Sequence, residues 1–398
     1  MTAKNLSFTT IQKEDGYMGA GTGDVLVLAL QEPLDVSSLV RESIEDTTIR
    51  SSVWDSGNGP SIGLRQGELS LVLDLPGLAA NDGGAVTNDA EGDIIASAVG
   101  SYDAATGTTA ADVSPTTTVF DVTSAAGLAP TNMILVETSA GYRVAPILSI
   151  DSAELTLAVP LPAAPASDND VIAGVTYTPS ETRTTWILEH HEDNDALGYK
   201  CQGVHFVPQI SNIGATEGKA RLTLPCTIGD WEHIPSTIAS ATPPDTFTRP
   251  GTIQDNGWFI LTDGTDAITC IASTFNVENL LTAMRRADAC KQNVVGEPEI
   301  LPSADKAITT ELWQPAGATT DPVAQLRKWF EEGTMLKCLY QVGCEPTDCI
   351  AFYFPAVYLS QEPKEVDKGG IMAIAANLKI SLDRNSTVFD RPWYMARF

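Results

Sequence analysis

Gly67-Glu68-Leu69-Ser70-Leu71-Val72-Leu73-Asp74-Leu75 decides the fold class. Leu69, Leu71, Leu73 and Leu75 fall on one face, Glu68, Ser70, Val72 and Asp74 on the other, and Pro76-Gly77 closes the run. Strict alternation over nine residues is the signature of a half-buried strand, because successive side chains of an extended chain point to opposite sides. The pattern recurs. Ala220, Leu222, Leu224 and Cys226 oppose Lys219, Arg221 and Thr223, with Gly218 marking the turn before them. Near the end, Ile374, Ala376, Leu378, Ile380 and Leu382 alternate with Ala375, Asn377, Lys379 and Ser381. Further strands are expected over Thr182 to Glu189 and Tyr199 to Ile210. Strands of this length belong to sandwiches or barrels, so the expected fold is mainly β.

Helices are few. Asp321 is placed to cap one, Pro322 sits at its first position, Val323, Leu326, Trp329 and Phe330 share a face, and Gly333 ends it. A shorter helix is expected from Asp93 to Val99, ending at Gly100, and a third from Val277 to Ala289 with Asn276 as cap. The order strand, short helix, hairpin-like strand pair thus appears twice. Ser236 to Pro250, with Pro243, Pro244 and Pro250 in a Ser/Thr-rich background, reads as a linker between two halves. Within the first half, Tyr102 to Tyr177 changes character. Short apolar runs (Val119 to Val122, Met133 to Val136, Val144 to Ile150, Leu155 to Val159) alternate with Gly, Pro, Asp and Thr, and Pro160 to Pro165 reads as an extended connector. The expected organisation is a discontinuous first domain (1–101 and 178–235), an inserted small all-β module (102–177), a Pro-rich linker (236–250) and a second domain (251–398).

The 398 residues carry 51 acids against 24 Lys and Arg, a formal charge of -27. Binding nucleic acid through phosphates requires clustered cations, so that class of partner is excluded. Between Asp82 and Asp170, twelve acids face Arg143 alone, which also excludes an anionic membrane surface. Acidity of this kind otherwise serves solubility. Hydrophobic residues make up 43% of the chain, enough for at least two cores. No run of eighteen apolar residues occurs and Met1 to Gly16 is polar, so neither a membrane span nor a signal peptide is expected. Seven cysteines (Cys201, Cys226, Cys270, Cys290, Cys338, Cys344, Cys349) lack zinc spacing. They read as reduced core thiols of a cytosolic product.

No catalytic, cofactor or metal residues are assigned. Glu189-His190-His191-Glu192-Asp193 is the best metal candidate, but adjacent strand residues point to opposite faces, and the following Asn194-Asp195-Ala196-Leu197-Gly198 suggests the polar tip of a hairpin. His205 and His233 stand apart from it. Gly19-Ala20-Gly21-Thr22-Gly23 lacks the preceding strand and following lysine of a phosphate loop, and Asp24 would repel phosphate, so a flexible arm is expected. No Gly-x-Ser-x-Gly elbow occurs and no cysteine is tied to a histidine, so no enzyme is expected. Arg285-Arg286 and Arg327-Lys328 read as solvated helix faces that could meet a neighbour's acids in an assembly.

The run Gly63-Leu64-Arg65-Gln66-Gly67-Glu68-Leu69-Ser70-Leu71, the Gly203 to Pro208 strand, and Gly218 to Trp231 ending in Cys226-Thr227-Ile228-Gly229-Asp230-Trp231 resemble the major tail (tail tube) proteins of tailed bacteriophages. Asp321 to Gly333 occupies the place of the helix that packs beside a tube domain. The segment from Thr117-Thr118-Val119-Phe120-Asp121-Val122 to Ala163-Ala164-Pro165 resembles small β-modules embedded in such proteins. The resemblance implies two tube-type β-sandwich or barrel domains, each with a short packed helix, and strands that join those of neighbouring copies into stacked rings. Double-stranded DNA would pass the bore without specific binding. Implied partners are other copies of the chain and tail proteins such as the tape measure and tail terminator, in a virion tail assembled in the bacterial cytoplasm. Two tube-like halves imply three chains for a ring of six equivalent domains, with six chains as the alternative. The N-terminal arm and the aromatic tail (Trp393, Tyr394, Phe398) would clamp neighbouring rings, or the tail would pack on its own domain. The competing reading is a secreted or virion-surface β-rich adhesin whose inserted module binds carbohydrate.

Overall fold

The computed structural model describes residues 7–16, 18–28, 30, 34–44, 61–78, 90–111, 115–180, 184–192, 197–207, 209–213, 220–235, 258–278, 281–284, 299–302, 306–313, 321–368, 371–384 and 386–398. They form a mainly β protein with two helices and a closed six-stranded barrel. In the first half β1 (Ser7–Glu14) and β2 (Gly21–Leu28) make a hairpin. The separate pair β3 (Val40–Ile44) and β4 (Ser61–Gln66) follows, then β5 (Glu68–Asp74) and helix α1 (Ala90–Val99). Leu69, Leu71, Leu73 and Leu75 are all buried, as their alternation requires.

Between β6 (Gly100–Ala104) and β13 (Val175–Pro179) the chain leaves the main sheet to build the barrel. Its strands are β7 (Thr108–Thr109), β8 (Val119–Asp121), β9 (Met133–Thr138), β10 (Gly141–Asp151), β11 (Glu154–Leu157) and β12 (Asp170–Ala173). They run in the order β7-β12-β9-β10-β11-β8, and an Ala110–Val122 bridge joins the ends. Phe120, Ile134, Val136, Ile147, Leu155 and Val171 fill the interior. Its stem is the antiparallel pair β6 and β13, in which Tyr102 stands opposite Tyr177.

The first half resumes with β14 (Trp186–Glu192), β15 (Leu197–Phe206), β16 (Gln209–Ile213), β17 (Arg221–Thr227) and β18 (Asp230–Pro235). The strand expected across Tyr199 to Ile210 is therefore divided in two, between β15 and β16. The second half contains β19 (Trp258–Thr262), β20 (Ala267–Glu278), the pair β21 (Leu281–Met284) and β22 (Glu299–Pro302), β23 (Ala307–Trp313) and helix α2 (Pro322–Glu332). After it come β24 (Leu336–Glu345), β25 (Asp348–Leu359), β26 (Lys364–Lys368), β27 (Ile371–Ile380) and β28 (Tyr394–Arg397). Leu382, expected on the buried face of this last long run, lies past the end of β27 and is exposed.

Two of the three expected helices form, α1 opening at Ala90, three residues before the expected Asp93. Asp321 caps α2 by accepting from the Val323 and Ala324 amides, and Gly333 ends it in the left-handed conformation (φ 63°). The Trp329 indole, buried under α2, donates to Asp263 Oδ2 at 2.9 Å. Helix α1 ends at Gly100, whose φ of 136° disfavours a side chain. It is fastened by the Trp186 indole donating to Ser97 Oγ at 2.9 Å.

The helix expected from Val277 to Ala289 does not form over its described part: β20 runs through Glu278 and Leu281–Met284 is β21. Burial beats local propensity there. Phe275 and Val277 are buried as β-spaced neighbours, and the Phe275 ring stacks on Tyr340 with centroids 4.1 Å apart. A helix starting at Val277 would break the alternation that places it beside Phe275 in the core. Arg285, Arg286 and the linker at 236–250 lie outside the described residues.

The halves repeat one pairing scheme. In the first, β1 pairs with β2 and β14, β14 with β15, β15 with β17 and β18, β16 with β17, and β17 with β5. In the second, β19 pairs with β20 and β24, β24 with β25, β25 with β27 and β28, β26 with β27, and β27 with β23. Each of these first-half pairings has its counterpart, all antiparallel, and each half carries its outlying strand pair and its helix at the same point in the order; the stem pair β6–β13 has none. The second half adds one, β20 with β23.

Two links fuse the halves into a continuous sheet. Strand β16 pairs with the end of β20, and β28 lies between β25 and the stem strand β13. Arg397, on β28 and fully buried, donates through Nε to Pro76 O (2.9 Å) and through Nη2 to Gly77 O (2.8 Å), with Nη1 3.3 Å from the Tyr177 hydroxyl. Gly77 is required there, since a Cβ would stand 2.4 Å from Thr347 O and 2.5 Å from Phe398 O. Replacing Arg397→Ala strands two buried carbonyls and is expected to cost about 3 kcal/mol. Urea denaturation measures it, and a loss below about 0.5 kcal/mol, the range of an uninvolved surface site, contradicts this role for the guanidinium.

Candidate assembly surfaces

In the second half β19, β28 and much of β24 and β25 are buried on both faces, and this determines where the barrel sits. Along β25, Ile350, Phe352 and Phe354 point into the main core, while Cys349, Ala351 and Tyr353 point the other way into a second apolar cluster. Ile260 and Leu339 join that second face, and the barrel supplies Met133, Leu135, Val144, Val159 and Ile172 against it. A strand covered on both sides reads as a continuous apolar run rather than as alternation, which is the character of 349–357. On β9 the same division holds, with Ile134 and Val136 filling the barrel and Met133 and Leu135 facing outward onto the second half.

Polar contacts fix the docking. The Val144 amide donates to Gln341 Oε1 at 2.9 Å, while Gln341 Nε2 donates to Tyr142 O (3.1 Å) and Gly343 O (2.9 Å). Lys337 donates to Ala158 O at 3.3 Å. Arg143 lies over the Trp258 ring, its guanidinium carbon 4.6 Å from the centroid. The single base of the acidic stretch is thus turned toward the interface. Asp103, Asp151, Glu154, Asp168 and Asp170 are exposed, and Asp121 and Glu137 half-exposed. The described outer surface of the barrel is consequently acidic without a compensating cation.

The expected chemical candidates resolve into structural roles. His190 and His191 are not at a polar hairpin tip: both are buried in β14, which is flanked by β1 and β15. His190 Nδ1 shares a 2.9 Å hydrogen bond with Thr9 Oγ1, and His191 Nε2 is 3.9 Å from Glu189. Residues 193–196 lie outside the described residues, and among the described residues no three His, Cys, Asp or Glu side chains converge as a metal set. His233 makes a tilted ring contact with Tyr199 and an edge-on contact with Trp231, at centroid distances of 5.0 and 5.3 Å. His205 is buried.

Gly19 to Gly23 is no flexible arm but the turn and opening of the β1–β2 hairpin. The Asp15 amide donates to Ala20 O at 2.9 Å, and Glu14 pairs with Gly21. Buried Glu14 accepts from the Gly203 amide (2.8 Å) and the Met18 amide (3.0 Å), and burial raises its carboxyl above the ordinary value. Residues 1–6 lie outside the described residues, so of the expected N-terminal clamp the described part belongs to the sheet. The aromatic tail packs on its own molecule: Trp393, Tyr394 and Phe398 are buried, with Tyr353, Phe389 and Tyr394 in mutual ring contact at 5.0–6.3 Å. Arg327 and Lys328 meet acids of their own chain, Glu362 and Asp266, each at 3.7 Å.

Of the six described cysteines, all free, five are buried. Desolvation pushes the Cys201 and Cys270 thiols up to about 12. Cys344 departs from the core-thiol expectation by being exposed.

What remains open is strand edge. Among the described residues, β2 pairs only with β1 and β26 only with β27, and their outer edges meet no other strand. Val25 on β2 is 57% exposed, and Met372, opposite β26 at Asp367, is 56% exposed. Comparison of the sequence with protein-family models and with curated proteins returns no match.

Replacing residues 105–174 by a Gly-Gly turn would close the stem and bare Ile260, Leu339, Ala351 and Tyr353. The shortened protein is expected to bind 8-anilinonaphthalene-1-sulfonate strongly and to lose solubility. A soluble, dye-silent product would show that the barrel is not needed to cover this face.

Proposed function

We propose that the chain is a structural virion protein that assembles into stacked rings forming the tail tube of a tailed bacteriophage, a negatively lined conduit for genome ejection. One observation carries this reading. Two copies of one β-unit are joined edge to edge within the chain, and among the described residues the outer edges of β2 and β26 meet no further strand. An open edge is a hazard in a lone molecule and an ordinary pairing surface in a closed ring. Two units per chain make a six-unit ring out of three chains. The virion tail is then its location, with further tail proteins capping and filling the tube.

The charge supports the same reading. A wall that lets DNA slide must not hold its phosphates, and a protein of net charge -27 repels them. Salt confines that repulsion to about 8–10 Å, so only acids close to the path act on the duplex. The described residues contribute no helix long and apolar enough to cross a membrane.

Purified protein examined by negative-stain microscopy is expected to form rings or hollow rods without DNA, to a larger extent as concentration rises. A compact monomer at every concentration contradicts the proposal. Monomers retained on a glycan array would favour the adhesin reading instead.

A further inference from the structure

We infer that Cys344 and Cys349 form a thiol–disulfide redox site, at which a low-molecular-weight disulfide such as glutathione disulfide enters at Cys344 and the pair closes into an intrachain bond. The inference rests on one hairpin and holds whether or not the chain forms rings. Both thiols are free in the structure, Cys344 exposed and Cys349 fully buried. The β24–β25 register brings them together. Val342 stands opposite Ile350 and Glu345 opposite Asp348, so Gly343 and Cys344 share a single opposite residue, Cys349. Gly343, in the left-handed conformation (φ 76°), has no side chain, which leaves Cys344 to face Cys349 across this bulge.

The Cys349 carbonyl accepts from the Phe398 amide at 2.9 Å, so the Cys349 backbone is turned toward β28 and away from β24. Cys344 and Cys349 therefore oppose each other at a non-hydrogen-bonded position of the hairpin. In a regular ladder the Cα atoms of such a pair stand about 4.5 Å apart, within the roughly 4.4–6.8 Å that a disulfide spans. Alternation aligns the side chains. Glu345 and Asp348 fall on one face, Cys344 and Cys349 on the other, the face that carries the barrel. Arg143, brought there by the barrel, interacts electrostatically with both thiols. Burial pushes the Cys349 thiol up, and the Arg143 guanidinium works against that rise. The other described cysteines offer no such entry. Cys201, Cys226, Cys270 and Cys338 are buried in the main core.

The chemistry proceeds by two exchanges. The Cys344 thiolate attacks one sulfur of glutathione disulfide, breaking its S–S bond and releasing one glutathione thiolate. The Cys349 thiolate then attacks the Cys344 sulfur of the mixed disulfide and expels the second glutathione. Two cysteine thiols are oxidised, one glutathione disulfide is reduced to two glutathione thiols, and the protons given up by the cysteines end on those products. A cytosol keeps such a pair reduced, and an oxidising medium closes it.

The test incubates reduced, native full-length protein with glutathione disulfide, then digests it with an Asp-specific protease, which cuts before Asp348 and so between the two cysteines. Mass spectrometry is expected to find the Cys344 and Cys349 peptides linked, in a protein lighter by two hydrogens. Thiols counted in denaturant are expected to fall by two from the seven of the sequence, and dithiothreitol to restore them. Cys344→Ser is expected to abolish the linked peptide, and Cys349→Ser to stop the reaction at a stable glutathione adduct on Cys344. A native protein in which Cys344 stays unreacted overturns the inference. So does an adduct that persists on Cys344 beside a free Cys349, or a bond from Cys344 to any other cysteine of its own or another copy. Near-ultraviolet circular dichroism of the oxidised protein is expected to keep its native form, and closure that occurs only in urea contradicts a site built by the fold.

Discussion

A strand in a sheet has two hydrogen-bonding edges, and a buried backbone group left without a partner costs as much as a lost hydrogen bond. That constraint organises this molecule. Strand β28 satisfies it by lying between β25 and β13, and in doing so ties the second half to the barrel stem, which belongs to the first. Arg397 completes the tie: its guanidinium answers the Pro76 and Gly77 carbonyls where the chain turns out of β5. Strand β16 makes the other link by reaching β20. Among the described residues β2, β5, β6, β18 and β26 each pair with a single strand.

The barrel contributes to the same economy of surfaces. Its outward face on β9 and β10 is apolar where it meets the second half, and Gln341 and Lys337 supply hydrogen bonds across the contact. The docked barrel holds Arg143 against Trp258 and leaves its acids outside. An inserted segment therefore serves as a cover for one face of the sheet and at the same time carries much of the negative surface.

The mainly β fold class was legible because half-buried strands keep period two: Leu69 to Leu75 and Ala220 to Cys226 announce themselves. The α2 helix was legible because its caps are chemical, Asp321 and Gly333. Failures fall where burial is two-sided or local. Phe275 and Val277 sit in a strand because the core needs them, although Asn276 looked like a helix cap. The Glu189 to Glu192 run looked like a polar tip because sequence does not reveal that β1 covers one edge of β14. The continuous apolar run 349–357 is the sign in the sequence that something covers the second face of this sheet. The repeat was visible only as an element order. Its decisive feature, the matched pairing of strands far apart in the chain, is set by tertiary contacts that no local pattern encodes.

In the proposed ring, one chain supplies two equivalent units. Native mass spectrometry of rings released from assembled tubes, with rotational averaging of their end-on views, tests it most directly. Three chains per ring and six similar lobes in threefold symmetry are expected. Six chains per ring, or a ring lacking the doubled lobe pattern, would contradict it.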